Sequence, residues 1–141
     1  MTELVRLTVS HAYSASAERV FDAWLDPDKA GRFLFATPDG RMTKVEIDPV
    51  VGGRFTITEQ RGEAEAEHVG RYLEIERPRR LVFEFGVPAW SPEMGRVEID
   101  IEALAEGGCK LTLTAWVDAA YADRTQEGWT KILAGLERVT G

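Results

Sequence analysis

Two hydrophobic periods divide this chain. In the opening segment Val5, Leu7 and Val9 alternate with Arg6, Thr8 and Ser10, a period of two that predicts a half-buried strand over residues 4–13. Val20, Phe21 and Trp24 then fall at helical spacing behind Ser16, a residue that can accept from the free amides of a first turn. Asp26 followed by Pro27 has the form of a cap and first helical position, so a second short helix should end near Phe33-Leu34-Phe35. Alternation returns at Val45 and Ile47, and again at Phe55 and Ile57 beyond the turn Pro49-Val50-Val51-Gly52-Gly53. Val69 to Ile75 predicts a further strand, as do Leu81, Phe83 and Phe85, then Val97, Ile99 and Ile101. Leu111, Leu113, Ala115 and Val117 complete the series after the turn at Glu106-Gly107-Gly108. The acidic stretch 61–67 has the composition of a solvated loop or strand end.

The last segment changes period. Trp129, Ile132, Leu133, Leu136 and Val139 recur at three and four, and Tyr121, Ala122 and Thr125 extend that stripe back toward Asp118. Such a helix, of about twenty residues, would run roughly 30 Å and cross a whole sheet. Short connections favour antiparallel pairing of the six or seven strands. The expected class is therefore α+β: one curved antiparallel sheet, covered by a long C-terminal helix and closed at one end by two short ones. No break resembles a linker, so residues 1–141 are expected to form a single domain.

Composition narrows the partners. With 17 basic and 24 acidic residues the net charge is −7, and the longest basic run is Arg77-Pro78-Arg79-Arg80. Without a basic surface the counterion-release term of nucleic-acid binding is missing, so no nucleic acid and no anionic membrane is expected as partner. A chain of 141 residues should bury roughly 70% of its unfolded surface without a staple. Cys109 is the single cysteine and has the setting of a small core or edge residue. The N-terminal residues lack a secretory pattern and no apolar run reaches a membrane span, which makes a cytoplasmic location the expectation.

Catalytic signatures are missing. Two histidines set far apart give no metal site, and there is no nucleophile elbow, phosphate loop or dinucleotide fingerprint. No cofactor and no metal is expected, and an enzyme is the less favoured class. Glu59 shares parity with Phe55 and Ile57; the favoured placement is a solvated rim, the alternative an inward carboxylate with a raised pKa. His11 should be half-buried, and His68, after the acidic stretch, solvent-facing.

Several pieces recur in a familiar order: Val20-Phe21-Asp22-Ala23-Trp24 with Asp26-Pro27, Gly52-Gly53-Arg54-Phe55, and the Gly-x-Tyr-x-Glu-Ile of residues 70–75. Pro78-Arg79-Arg80-Leu81-Val82-Phe83 and Gly128-Trp129 complete the set. Together they cover nearly the whole chain, which resembles the START/Bet v 1-like (SRPBCC) superfamily. Within it the chain is similar to the C-terminal domain of the activator of heat-shock protein 90 ATPase. The resemblance implies a helix-grip fold with a cavity between sheet and last helix, used in the superfamily for lipids, polyketides and other apolar molecules. It makes a small hydrophobic or amphipathic molecule the expected partner. A chaperone, bound as by the activator, is the alternative, and a cyclase- or hydrolase-like enzyme using the same cavity is a third reading.

Two departures stand out. Arg32-Phe33-Leu34-Phe35 replaces an Arg-Trp-Trp-like segment, a change expected to reshape the cavity. Arg77 replaces the first proline of a Pro-Pro turn, a change expected to have no effect.

Within such a fold, strand parity points Phe55, Ile57, Tyr72, Phe83 and Phe85 toward the helix, with Val97 and Ile99 beside them. From the helix Tyr121, Thr125, Trp129 and Leu133 face back, and Phe33 closes one end. These residues are the candidate ligand-binding wall; the competing reading is that they interlock as solid core. Trp116 has the opposite parity and is excluded. Gly128 and Gly135 lie seven apart on the helix stripe, where glycine costs roughly 1 kcal/mol against alanine, so they serve close packing or, alternatively, a pocket. The loop bearing Pro88, Trp90, Pro92 and Met94 is apolar enough to be a lid over the cavity or a contact between two chains, leaving monomer and homodimer both open.

Overall fold

The computed structural model describes residues 4–37, 39–89 and 94–140. Its elements follow the two sequence periods. Strand β1 (Leu4–Tyr13) leads into helices α1 (Ala17–Leu25) and α2 (Pro27–Phe33). Strands β2 (Arg41–Ile47), β3 (Arg54–Arg61), β4 (Ala64–Glu76), β5 (Arg80–Gly86), β6 (Gly95–Ala103) and β7 (Cys109–Asp118) follow, and helix α3 (Ala122–Thr140) ends the chain. The strands form one antiparallel sheet in the order β1-β7-β6-β5-β4-β3-β2. Chain order and spatial order agree except for β1, which returns to pair with β7. This is a helix-grip fold.

Local chemistry starts each helix as expected. The Ser16 hydroxyl accepts from the Arg19 amide at 3.2 Å, and the Asp26 carboxylate accepts from the Asp28 amide at 3.0 Å with Pro27 behind it. Each acceptor satisfies an amide that the helix itself cannot.

The acidic stretch is more ordered than its composition implied. Residues 64–67 are strand, and the turn has contracted to Gly62-Glu63, with Gly62 at φ 61°. Ala66, His68, Gly70 and Tyr72 alternate inward against Glu65, Glu67 and Arg71. The period of two was present but carried by weakly hydrophobic residues, which is why composition hid it.

Arg77 also corrects its expectation. Its Nε and Nη2 donate to the two Asp22 carboxylate oxygens at 2.7 and 2.9 Å, joining the β4–β5 turn to α1. A proline there would have no such donor.

The sheet's concave face is packed with aromatic rings. Phe55, Ile57, Tyr72, Phe83, Leu133 and Trp24 all lie below 4% exposure within one continuous core. Phe55 meets Phe83 edge-on at 5.6 Å, and Trp24 meets Phe33 edge-on at 5.1 Å. Tyr13, at the end of β1, donates its hydroxyl to the Leu133 carbonyl of α3 at 2.8 Å. The middle of the grip is thus filled by side chains.

Candidate functional site

Space remains at one end of the grip. A cavity of about 650 Å³ opens between the C-terminal end of α2, the β3–β4 hairpin and the second half of α3. Phe33, Phe35 and Ile132 supply its apolar floor, and His68 lies at its base.

Phe35 shapes that floor. It follows the C-cap residue Leu34 and has φ 59°, a left-handed conformation that usually goes to glycine at the end of a helix. Three partners hold it there. Its ring stacks on His68 at 4.1 Å and 6°, leans on Phe85 at 4.8 Å, and meets Trp129 at 5.9 Å. Its carbonyl accepts from Arg61 Nη2 at 3.1 Å.

Arg61 links this floor to a buried acid. Glu59 is 1% exposed, and its Oε1 accepts from Arg61 Nε at 2.6 Å and from the Thr37 hydroxyl at 2.9 Å. Its Oε2 accepts from the Thr37 amide at 2.8 Å. Burial pushes the carboxyl pKa up, but these donors and the Arg61 charge outweigh it and hold the group below its ordinary value. Gly40 makes this possible, because any β-carbon there would occupy the position of the Glu59 carboxylate. The favoured rim placement of Glu59 is therefore overturned: it is an ionised clamp that, with Arg61, fastens Phe35 and Thr37 to β3. Three donors and a pKa held below the ordinary value make this carboxylate a poor proton acceptor.

His68 is likewise buried, at 6% exposure, and not solvent-facing. The β4 register pairs it with Ile57, on the inner face. Desolvation lowers its pKa to about 4, helped by the Arg61 charge and opposed by hydrogen bonds to the Ala66 and Ile57 backbone and by Glu59. At neutral pH it presents an uncharged imidazole to the cavity. His11, as expected, is half-buried, with Nε2 3.3 Å from Glu137 Oε1.

The ten sequence candidates separate into groups. Phe33 lines the cavity, and Trp129 and Phe85 stand immediately behind Phe35. Phe55, Ile57, Tyr72, Phe83 and Leu133 belong to the closed core. Thr125 is half-buried, while Tyr121 is 57% exposed. Tyr121 ends a 3-10 turn over Ala119–Tyr121, whose three-residue period puts it out of phase with the stripe of α3. The two helix glycines differ as well. A β-carbon on Gly135 would lie 3.3 Å from Phe33 Cβ, so that glycine serves helix packing. One on Gly128 would meet nothing within 4 Å, and Gly128 borders the cavity. Sequence reasoning missed Phe35, Arg61 and His68 as a unit; the available signals were the substituted Phe33-Leu34-Phe35 segment and the shared inward parity of Glu59 and His68.

Elsewhere, Cys109 is fully buried and burial raises its thiol pKa. Among the described residues no group of three His, Cys, Asp or Glu is placed to hold a metal ion, and no helix is long and apolar enough to cross a membrane. Trp90 and Pro92, assigned to a lid or a chain-to-chain contact, lie outside the described residues.

The sequence of residues 14–141 matches the family described as activator of Hsp90 ATPase homolog 1-like protein. The chain belongs to that family. Solved structures agree with it in fold. The AHSA1-like protein from Aeromonas hydrophila is 25% identical, with a TM-score of 0.82 over 96% of this chain and 91% of that one. Protein CV1439 from Chromobacterium violaceum is 24% identical, with a TM-score of 0.85 over 96% of both chains. Protein SA2116 from Staphylococcus aureus, a protein of unknown function, reaches a TM-score of 0.88 at 17% identity, over 99% and 94%. None of the curated proteins compared with the chain matches it. Membership in this family fits a ligand-binding or co-chaperone-like domain in general and names no ligand.

Proposed function

We propose that this family member is a binding domain for a small hydrophobic or amphipathic molecule, held in the cavity between α2, the β3–β4 hairpin and α3. The observation that carries the reading is the cavity itself. At about 650 Å³ it falls within the range of sites for small organic ligands, roughly 300–1,000 Å³, and Phe33, Phe35 and Ile132 give it an apolar floor. The closed aromatic core favours this end of the grip, where Trp129 and Phe85 would form the inner wall of the site. Phe35 supports the reading further, because a non-glycine residue with φ 59° facing a ligand-sized space is the kind of strain that functional sites retain.

Gly128 supplies the test. A β-carbon at that position would meet nothing within 4 Å, and Gly128 lines the cavity, so a leucine there tests occupancy of this space. Native mass spectrometry of the protein with a library of apolar and amphipathic compounds should detect bound species for the parent chain, and Gly128→Leu should lose them while unfolding at the same or higher denaturant concentration. A parent chain that retains no compound, or a Gly128→Leu variant that binds undiminished, removes this cavity from consideration.

A further inference from the structure

The cavity's charge is opposite to that of the protein. In a chain of net charge −7, the described residues lining this space include four cationic side chains, Arg32, Arg61, Lys131 and Arg138, and no carboxylate. Two of the four are already engaged, Arg61 by Glu59 and Lys131 by Glu127 at 3.2 Å. Arg32 and Arg138 have no carboxylate within 4 Å among the described residues. Each sits in the last turn of its helix, where a cation offsets the partial negative charge of the final carbonyls. That role accounts for one basic residue per helix. It does not account for the ends of α2 and α3 converging so that both arginines line one space floored by apolar side chains.

We infer that the cavity selects an amphipathic acid, its carboxylate held by Arg32 and Arg138 and its apolar body laid against Phe33, Phe35 and Ile132. Guanidinium groups suit this task because their planar fork of donors matches a carboxylate and stays charged at every accessible pH. No carboxylate lines the cavity, since Glu59 is turned inward and satisfied by Thr37 and Arg61, and Glu127, the acid beside Lys131, is held by that lysine at 3.2 Å. The inference rests on the cavity being the binding site, and its test separates the two ideas.

Decanoate, decanol and decylamine share one apolar body and differ in the charge of the head. Titration of each into isotopically labelled protein, followed by amide shift changes at Phe33, Phe35 and Gly128, yields three affinities at one site. Decanoate should bind at least ten-fold more tightly than decanol, and decylamine more weakly than either. The preference should shrink as salt is raised, and should fall to near parity in the Arg32→Gln/Arg138→Gln double variant. Both side chains are exposed, so the fold should survive; the salt dependence of the parent chain gives the same answer without a variant. Equal binding of decanoate and decanol, or a preference for decylamine, overturns charge selection while leaving the cavity as a binding site. If none of the three shifts these resonances, both ideas fall together.

Discussion

Arginine meets carboxylates in two parts of this molecule, with opposite consequences. On the outer face of the sheet Arg80 reaches Asp100 at 2.9 Å, Glu98 at 3.3 Å and Glu74 at 3.5 Å, while Arg96 reaches Glu98 at 2.8 Å and Glu74 at 3.6 Å. That network stitches β4, β5 and β6, but its side chains are 20–51% exposed. At the cavity end a single arginine, Arg61, meets a single carboxylate that is 2% exposed. Water screens both partners of the five contacts outside; at the cavity end it reaches Arg61, 33% exposed, but scarcely reaches the carboxylate. Removing a partner outside leaves a charge that solvent can take over; removing Glu59 leaves Arg61 partly solvated but takes the acceptor from the Thr37 amide and hydroxyl. The number of ion pairs is a poor guide to their weight. Burial sets it.

The sharpest way to break this comparison is Glu59→Ala. It should lower unfolding stability by about 2 kcal/mol in urea titrations, less than for a fully buried pair because Arg61 keeps a third of its side chain in solvent. A loss below 1 kcal/mol would place the buried clamp on the same footing as the surface network. The pH dependence gives an internal control. The folded-state pKa of Glu59 is depressed, so its contribution is present above pH 4.5 and disappears as pH falls below that value. The gap between the parent chain and Glu59→Gln should close over the same range.

His68 makes a second test of the cavity end. Its pKa is about 4 in the folded state against 6.5 unfolded, so the unfolded chain binds more protons between those values. Stability should be at its full value above pH 6.5 and fall by roughly 3 kcal/mol as pH drops to 4. His68→Phe removes the titrating group and should flatten that part of the curve in denaturant midpoints measured across pH 4–7. An unchanged slope would mean that His68 protonates freely in the folded protein.

The glycines of α3 give a smaller effect. Gly128→Ala should raise stability by up to about 1 kcal/mol, because the new methyl meets open space and the helix loses its entropic penalty. Gly135→Ala should give none of that gain, since Phe33 stands 3.3 Å from the added carbon. Thermal unfolding of the pair reads the difference, and equal gains would mean that α2 and α3 do not pack closely. Least of all should be Arg80→Met on the outer face, at about 0.5 kcal/mol and diminishing in high salt. A loss of several kcal/mol there would show that the network acts as a unit despite its exposure.

Most of the fold was legible because its signals are strong and local. The alternation through Val97, Ile99 and Ile101, the Ser16 and Asp26 caps, and the three-and-four stripe of α3 each needed only neighbours in sequence. The candidate wall was legible as a face and not as a surface: parity said that Phe55, Tyr72 and Phe83 point inward, and could not say whether they would stand apart or interlock. They interlock. Tyr121 was misplaced because a single 3-10 turn shifts phase without marking the sequence. Glu59 and His68 were misplaced because a polar residue at an inward position is ordinarily pushed to the rim, and part of what keeps these two inside, Thr37 on Glu59 and Phe35 on His68, comes from residues far from them in the chain.

The sequence by itself determined the class of fold, the family, and the charge of −7 that disfavours nucleic acid. The fold class and charge depend on periodicity, caps and composition, which are properties of neighbouring residues or of plain sums, and the family on short motifs in a fixed order along the chain. Only the tertiary structure decided where space is left over. That depended on Thr37 closing on Glu59, on Phe35 held at φ 59° by rings from β4, β5 and α3, and on Gly128 facing emptiness while Gly135 faces Phe33. Each is a contact between segments that no local pattern relates. A cavity is what packing fails to fill, so it becomes visible only once the packing is known.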